Sequence, residues 1–333
     1  MSKDLRVVFI SDMQGHDDEG MKKIARRLSH VLNEQDGFCA EALSPREALS
    51  SAQSFDIMHY VGGPTYRSVM YAGWFKSRVR HVKTILSFTN PFWNQFAEFV
   101  VRLFPPNCVV VQSRQWQEWA ERLNIFSRLM SISGVDIDRF TPVSTQKKIE
   151  IKTDLGFPTD KKLVLHVGHL KEDRNVLKLI PLQAGHDIQV VVIGSTTTEQ
   201  SKSLIAQLEE AGCIVINQYQ PAIEQFYQAA DCYVFPTVDA QACIQLPLSV
   251  YEAMATNLPV VTTRFGGLPD ILPSGEGLYY GSFEHDGDML KMVRSALTGP
   301  INTRGLILMY DWPKVGMQLA ELYRELVRGS FDG

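Results

Sequence analysis

The chain reads as two successive series of short, uniformly apolar runs rich in β-branched residues, with stretches of a different period between them. The first series is LRVVFIS (5–11), FDIMHYV (55–61), VKTILSF (82–88), CVVVQS (108–113) and RLMSIS (128–133). The second is KLVLHVG (162–168), IQVVVIG (188–194), CIVINQ (213–218), CYVFPT (232–237), PVVTT (259–263) and GLYYG (277–281). A strand with one wet face alternates apolar and polar residues. A run that is apolar throughout suits a strand covered on both faces, as in a parallel sheet. The intervening stretches carry the helical period. In GMKKIARRLSHVLNE, Met21, Ile24, Leu28 and Val31 share a stripe, as do Trp116, Trp119 and Leu123 in SRQWQEWAERLN. TTEQSKSLIAQLEEAG ends on a glycine, a common helix stop. Strand–helix alternation of this kind builds βαβ units. The expected fold class is therefore α/β, with two Rossmann-like, doubly wound parallel-sheet domains.

The segment DRFTPVSTQKKIEIKTDLGFPTDKK (138–162) separates the two series, is polar and carries two prolines, so it reads as the interdomain connection. The expected division is a domain over 1–144, a linker over 145–161 and a domain over 162–312, with a cleft between the domains. A formal net charge of -4 argues against nucleic acid as an obligatory partner. The cysteines, Cys39, Cys108, Cys213, Cys232 and Cys243, are odd in number and lack CxxC spacing. Neither a disulfide framework nor a zinc site is expected, and the expected compartment is a reducing cytoplasm. The N-terminal run VVFI is too short for a signal peptide, and no stretch reaches the about 18 apolar residues that cross a bilayer.

In open α/β sheets ligands bind beyond the carboxyl ends of the strands, so the loops there carry the candidate chemistry. SVYEAMATNLPVVTTRFGGLPDIL (249–272) opens as a helix. Pro247 suits its entry and Ser249 its N-cap, which puts Glu252 on the first turn, where a carboxylate would accept hydrogen bonds from paired sugar hydroxyls. The competing reading is that Glu252 complements the helix dipole or closes a capping box with Ser249. HVGHLKEDRNV (166–176) leaves a strand at Gly168 and places His169, Lys171 and Arg174 just past its end. That cluster suits two phosphates; the alternative is a solvated loop of mixed charge. Neither GxGxxG nor GxxxxGK[ST] occurs, which weighs against a nicotinamide enzyme or an ATPase. The first loop, SDMQGHDDEGMKK, offers Gly15 and Gly20 for close backbone approach, but Asp17, Asp18 and Glu19 would repel a diphosphate.

Five segments in order resemble the family 4 glycosyltransferases, retaining enzymes of the GT-B fold: GVDIDRFTPV (134–143), LHVGHLKEDRNV (165–176), YQPAIEQFYQAADCYVFPT (219–237), PLSVYEAMATNLPVVTTRFGGLPDIL (247–272) and YDWPKVGMQLAELYREL (310–326). The resemblance implies two domains facing a cleft, with a C-terminal helix over 313–328 returning to complete the N-terminal domain. It implies transfer of a sugar from a nucleotide-diphospho-sugar with retention of anomeric configuration. Residue by residue, Glu252 corresponds to the second glutamate of the family's E-x7-E motif, which holds the ribose hydroxyls. Arg174 stands at a phosphate-binding lysine and His169 at an arginine. Gly266 and Gly267 match loop glycines near the donor, and Tyr219 and Gln220 lie where the loop beside the nucleobase would be.

The sequence departs from the family at three places. Ile244 occupies the position of the first glutamate, with Asp239, Gln241 and Gln245 as nearby substitutes. The place of the N-terminal catalytic histidine reads LSFTNPFWN, with Thr89 or Asn90, while His59 lies on an earlier strand and reads as structural. The paired glycines of the first loop are reduced to Glu19-Gly20. In the front-face scheme usually proposed for such enzymes, the leaving diphosphate takes the acceptor's proton, so catalysis rests on positioning and on charge stabilisation by Arg174 and the helix N-terminus, joined by His169 if it is protonated, with no metal and no cofactor. The departures also admit a catalytically impaired GT-B protein with a binding or partner role, or another GT-B enzyme such as a sugar-nucleotide epimerase. The acceptor (a glycan, a lipid or a small molecule) falls to the N-terminal half. There YAGWFKSRVRHVK (71–83) sets Lys76, Arg78, Arg80 and Lys83 beside Trp74 and Phe75. That pattern is either a peripheral membrane contact or a solvated helix face with its aromatic residues in the core. TNPFWNQFAEFVVRLF (89–104) reads as acceptor-channel lining or as plain packing.

Overall fold

The computed structural model describes residues 4–11, 20–51, 55–79, 81–89, 95–195, 200–285 and 287–329. The chain divides into two compact units, Met1–Gly134 with Ile244–Leu246 and Tyr310–Gly333, and Val135–Cys243 with Pro247–Met309.

The first unit alternates β1 (Leu5–Ile10), α1 (Gly20–Asn33), β2 (Phe38–Leu43), α2 (Pro45–Ser51), β3 (Ile57–Gly63), α3 (Tyr66–Arg78), β4 (Lys83–Phe88), α4 (Gln95–Leu103), β5 (Cys108–Val111), α5 (Arg114–Arg122) and β6 (Ser127–Leu129). Its sheet has the order β2-β1-β3-β4-β5-β6, with every pair parallel. The strand absent from the sequence reading is β2. It lies at the sheet edge, and FCAEAL alternates buried and exposed residues at its start, so it shows no continuous apolar run.

The second unit holds α6 (Thr145–Asp154), β7 (Lys162–Gly168), α7 (Ile180–Gln183), β8 (Ile188–Gly194), α8 (Lys202–Glu210), β9 (Ile214–Ile216), α9 (Ile223–Ala229), β10 (Cys232–Phe235), α10 (Leu248–Ala255), β11 (Val260–Thr262), α11 (Leu268–Ile271), β12 (Leu278–Tyr280), α12 (Asp288–Thr298) and α13 (Thr303–Ile307). Its parallel sheet runs β12-β11-β10-β7-β8-β9. The strand order reverses between β7 and β10, and this switch point is where such sheets open a crevice for ligands. The two doubly wound parallel sheets expected from the apolar runs are both present, so the fold class is α/β.

The last helix, α14 (Trp312–Arg328), returns to the first unit. A Cβ on Gly316 would stand 2.8 Å from Val31, so α14 and α1 meet with almost no side chain between them. Tyr323 is fully buried against Phe9 and Phe38, and its hydroxyl lies 2.6 Å from His59 Nδ1. His59 also bonds Ser87 Oγ, and burial pushes its pKa down to about 3, so it is a neutral core residue.

The stretch expected as a linker is largely helical. Ser144 caps α6 by accepting from Lys147 N, and the buried Lys152 reaches Asp231 at 2.7 Å. Polar residues that read as a solvated connection are thus ion-paired to the second unit. The structural division also falls earlier than 144, after Gly134. Arg304 explains this: it donates to the carbonyls of Ile137 at 3.0 Å and Phe140 at 2.9 Å, holding 135–140 in the second unit.

Candidate functional site

Beyond β7 the chain runs through His169 and the buried Leu170 into a single 3-10 turn, Glu172–Arg174, and leaves it through Asn175 at φ +57. Asparagine tolerates this left-handed conformation because its side chain bonds locally. Here the Asn175 amide donates to Pro236 O at 3.2 Å, and the Thr237 hydroxyl donates to Arg174 O at 3.4 Å. Both bonds tie the loop after β7 to the chain leaving β10, across the switch point. They fix the backbone that carries Arg174.

The Arg174 side chain is buried, at 6% exposure, and its Nε has no hydrogen-bond partner among the described residues. Burying a guanidinium costs several kcal/mol unless it is paired, and an incoming anion would offset that cost. A Cβ on Gly168 would stand 4.0 Å from Arg174 Nη1 and 3.2 Å from His166 Nε2, so glycine keeps the space beside both open. His166 holds Val234 O at 2.9 Å through Nδ1, which makes Nδ1 the protonated nitrogen and leaves Nε2 an acceptor without a partner among the described residues. Burial first, and the Arg174 charge after it, lower the His166 pKa to about 4. His169 is half-buried, and burial with the charges of Arg174 and Lys171 takes it to about 4 as well. With its pKa lowered in this way, the His169 ring favours the neutral form, which offers a hydrogen bond in place of the charge a protonated ring would bring.

The helix bearing Glu252 also differs from expectation. Pro247 is the N-cap of α10, and Ser249 stands inside the first turn, bonded to Tyr233. Ser249 is neither the cap nor a capping-box partner, because a helix starting at Leu248 puts Glu252 in the second turn, out of reach of the end. Glu252 is buried, and its Oε2 accepts from the Tyr227 hydroxyl at 2.9 Å. Burial and the Glu252 charge raise the Tyr227 pKa well above its usual value, so the phenol stays a donor. Tyr227 packs on Tyr233 at 5.9 Å between ring centroids, and Tyr233 stacks on His166 at 6.5 Å while donating to Val167 O at 3.3 Å. These contacts connect Glu252 on α10 to the end of β7, beside Arg174.

The second unit thus contains Gly168, His169, Arg174, Ser249 and Glu252, together with Gly266 at φ +53 after β11 and Gly267 at the start of α11. Tyr219 belongs to the same unit and is well exposed after β9. Gly20 opens α1 in the first unit. Asn90 lies outside the described residues. Of the substitutes for the first glutamate, Asp239 accepts from Gln241 N at 2.8 Å in its own turn. Gln245 groups with the first unit, where its N–H donates to Thr89 O at 2.9 Å. Sequence reasoning missed Tyr227, Tyr233, Asn175 and His166. Of these only His166 gave a signal, as the one polar side chain inside the apolar run VLHVG.

The family model for Glycosyl transferases group 1 matches residues 147–304, a span that includes Arg174 and Glu252. The chain is 27% identical over 168 residues to the putative teichuronic acid biosynthesis glycosyltransferase TuaC of Bacillus subtilis, covering 49% of this chain and 40% of that protein. It is 28% identical over 225 residues to a D-inositol 3-phosphate glycosyltransferase of Corynebacterium efficiens, covering 60% and 51%. The chain spans about half the length of these curated relatives. Among solved structures, HepE of Anabaena in complex with UDP and glucose is similar with a TM-score of 0.74 at 13% identity, over 96% of this chain and 99% of that one. Sucrose-phosphate synthase of Thermosynechococcus elongatus gives 0.78 at 16%, over 98% and 100%. At these identities the structural likeness is one of fold.

Proposed function

Residues 147–304 match the Glycosyl transferases group 1 family, and from that premise we propose that the chain transfers a sugar from a nucleoside-diphospho-sugar to an acceptor with retention of anomeric configuration. The observation that carries the proposal is the buried Arg174, unpartnered at Nε among the described residues and held at the switch point of the same unit as the buried Glu252. A diphosphate supplies a counter-charge and a partner for Nε, which has none among the described residues. Glu252, oriented by Tyr227, accepts from the ribose hydroxyls. His169 donates a neutral hydrogen bond beside Arg174. As the bond from the anomeric carbon to the β-phosphate oxygen breaks, charge grows on the diphosphate and Arg174 stabilises it. The acceptor oxygen bonds to the same carbon on the same face and releases its proton to the leaving phosphate. The proposal includes no metal and no cofactor; Arg174 takes the role of neutralising the diphosphate. It also includes the cytoplasmic location, which suits five cysteines that are all free.

Ile244 in place of the first carboxylate, on a segment that groups with the first unit, favours a second reading: a donor-binding protein that turns over slowly or not at all. One experiment separates the two. Thermal protection is measured with UDP-, GDP- and ADP-sugars, then hydrolysis and transfer, for the natural protein, Arg174→Ala and Glu252→Ala. Protection of the natural protein alone, with turnover, supports the transferase. Protection without turnover supports the binding protein, and no protection by any nucleotide overturns both.

A further inference from the structure

Between Asp56 and Glu98 the sequence has no acidic residue, while it has Arg67, Lys76, Arg78, Arg80 and Lys83. Of two helices of the first unit, α3 lies within this stretch and α4 begins at its end. α3 buries Val69, Ala72 and Phe75 and turns Tyr66, Met70 and Trp74, spaced by four, to solvent. α4 buries Ala97, Val100 and Val101 and exposes Phe96, Phe99 and Leu103 by more than half, with Phe104 just past its end half-exposed. The two rows form one face. A Cβ on Gly73 would stand 2.7 Å from Phe104 Cβ, and the rings of Tyr66 and Phe96 are 5.8 Å apart. Seven of the fifteen exposed large apolar side chains among the described residues are on this face. Single exposed apolar residues are ordinary on a protein surface; a cluster of this kind marks a docking site.

Its charges are mostly positive. Arg67 lies over the Tyr66 ring and Arg78 over the Trp74 ring, the latter at 5.1 Å. The acid carried on these two helices beside the cations, Glu98, is held by Arg102 at 2.9 Å and by Trp119 Nε1 at 3.3 Å. We propose that the α3–α4 face docks on an anionic phospholipid bilayer. Phe96, Phe99 and Leu103 enter the acyl boundary, Trp74 and Tyr66 sit at headgroup level, and the arginines meet lipid phosphates. The expected contact over 71–83 thus becomes a face made by two helices. No helix among the described residues is long and apolar enough to cross a membrane, so this contact lies in the interface plane. It also favours a lipid-borne acceptor, and that part alone rests on the transferase reading.

The test is co-sedimentation with vesicles of phosphatidylcholine plus phosphatidylglycerol and of phosphatidylcholine alone. The full chain is compared with Phe99→Ser/Leu103→Ser and with Arg67→Gln/Arg78→Gln. The natural protein is expected to sediment with the anionic vesicles only. The apolar pair abolishes binding, and the charge pair weakens it about 30-fold, at about 1 kcal/mol for each basic residue near the surface. Melting temperature and nucleoside-diphosphate protection stay unchanged in both variants, so failure here is distinct from failure of the donor site. The proposal is overturned if the natural protein stays in the supernatant, if both variants bind as it does, or if the substitutions instead abolish self-association of a protein that ignores vesicles.

Discussion

Replacing Arg174 with Met tests the logic of the donor site, because it removes the charge and keeps most of the side-chain volume. Two consequences follow from the geometry. Arg174 is buried with Nε unpartnered among the described residues, so its removal breaks no bond at Nε there and relieves a desolvated charge. The loop keeps its backbone, since Thr237 bonds the Arg174 carbonyl and Asn175 bonds Pro236. Stability should therefore hold or rise, and each 1 kcal/mol gained would lift the melting temperature by about 2–4 °C in a domain of about 150–250 residues. The diphosphate, by contrast, loses charge-assisted hydrogen bonds of about 1.5–3 kcal/mol, which weakens binding about 10- to 150-fold. The nucleoside without phosphates should bind both proteins alike. Calorimetric titration with nucleoside and nucleoside diphosphate, alongside thermal melts, measures all three. A variant that melts several degrees lower yet binds the diphosphate as before would show that Arg174 is a structural residue and refute the reasoning.

Glu252→Gln should bring the Kd of the ribonucleoside diphosphate close to that of its 2′,3′-dideoxy analogue; if the natural protein already fails to discriminate the two by about tenfold or more, the ribose role is wrong. Tyr227→Phe removes the donor to Glu252 Oε2 and should weaken ribonucleotide binding by about 1 kcal/mol, read in the same titration. Tyr323→Phe leaves His59 Nδ1 without its partner in the first unit and should destabilise the fold by about 1–3 kcal/mol in denaturant without changing nucleotide affinity; an unchanged midpoint would contradict this. For pH, His59, His166 and His169 all bind protons less readily folded than unfolded, with pKa values of about 3, 4 and 4. The unfolded chain then carries more protons below about pH 6.5, so stability is present above that pH and falls as pH drops toward 4. Denaturant midpoints that stay flat from pH 7.5 to 4.5 would rule this out.

The sheets were legible because their strands are apolar on both faces, a pattern that depends on nothing but burial. All six strands of the second unit follow it. β2 was not legible, because an edge strand with exposed Cys39 and Glu41 looks like loop. The site was legible where a charge breaks the local pattern. Arg174 follows a strand end, and Glu252 is the lone acid in an apolar helix. Their surroundings were not legible. Tyr227 sits on an apolar helical stripe, and nothing local says that its hydroxyl meets a carboxylate 25 positions on. The lowered pKa of His169 is not legible for a related reason: burial and the nearby Arg174 charge, which lower it, are properties of the folded loop. Ser249 was misplaced because the choice between Pro247 and Ser249 as helix cap depends on the chain's exit from the preceding segment.

The structure of the chain with a nucleoside diphosphate bound tests the central claim most directly. The account predicts phosphate oxygens within hydrogen-bonding distance of the Arg174 guanidinium, beside Gly168, and the ribose hydroxyls on the Glu252 carboxylate with Tyr227 still bonded to Oε2. A nucleotide seated elsewhere, with Arg174 Nε still unpartnered and Glu252 out of reach of the sugar, would contradict it.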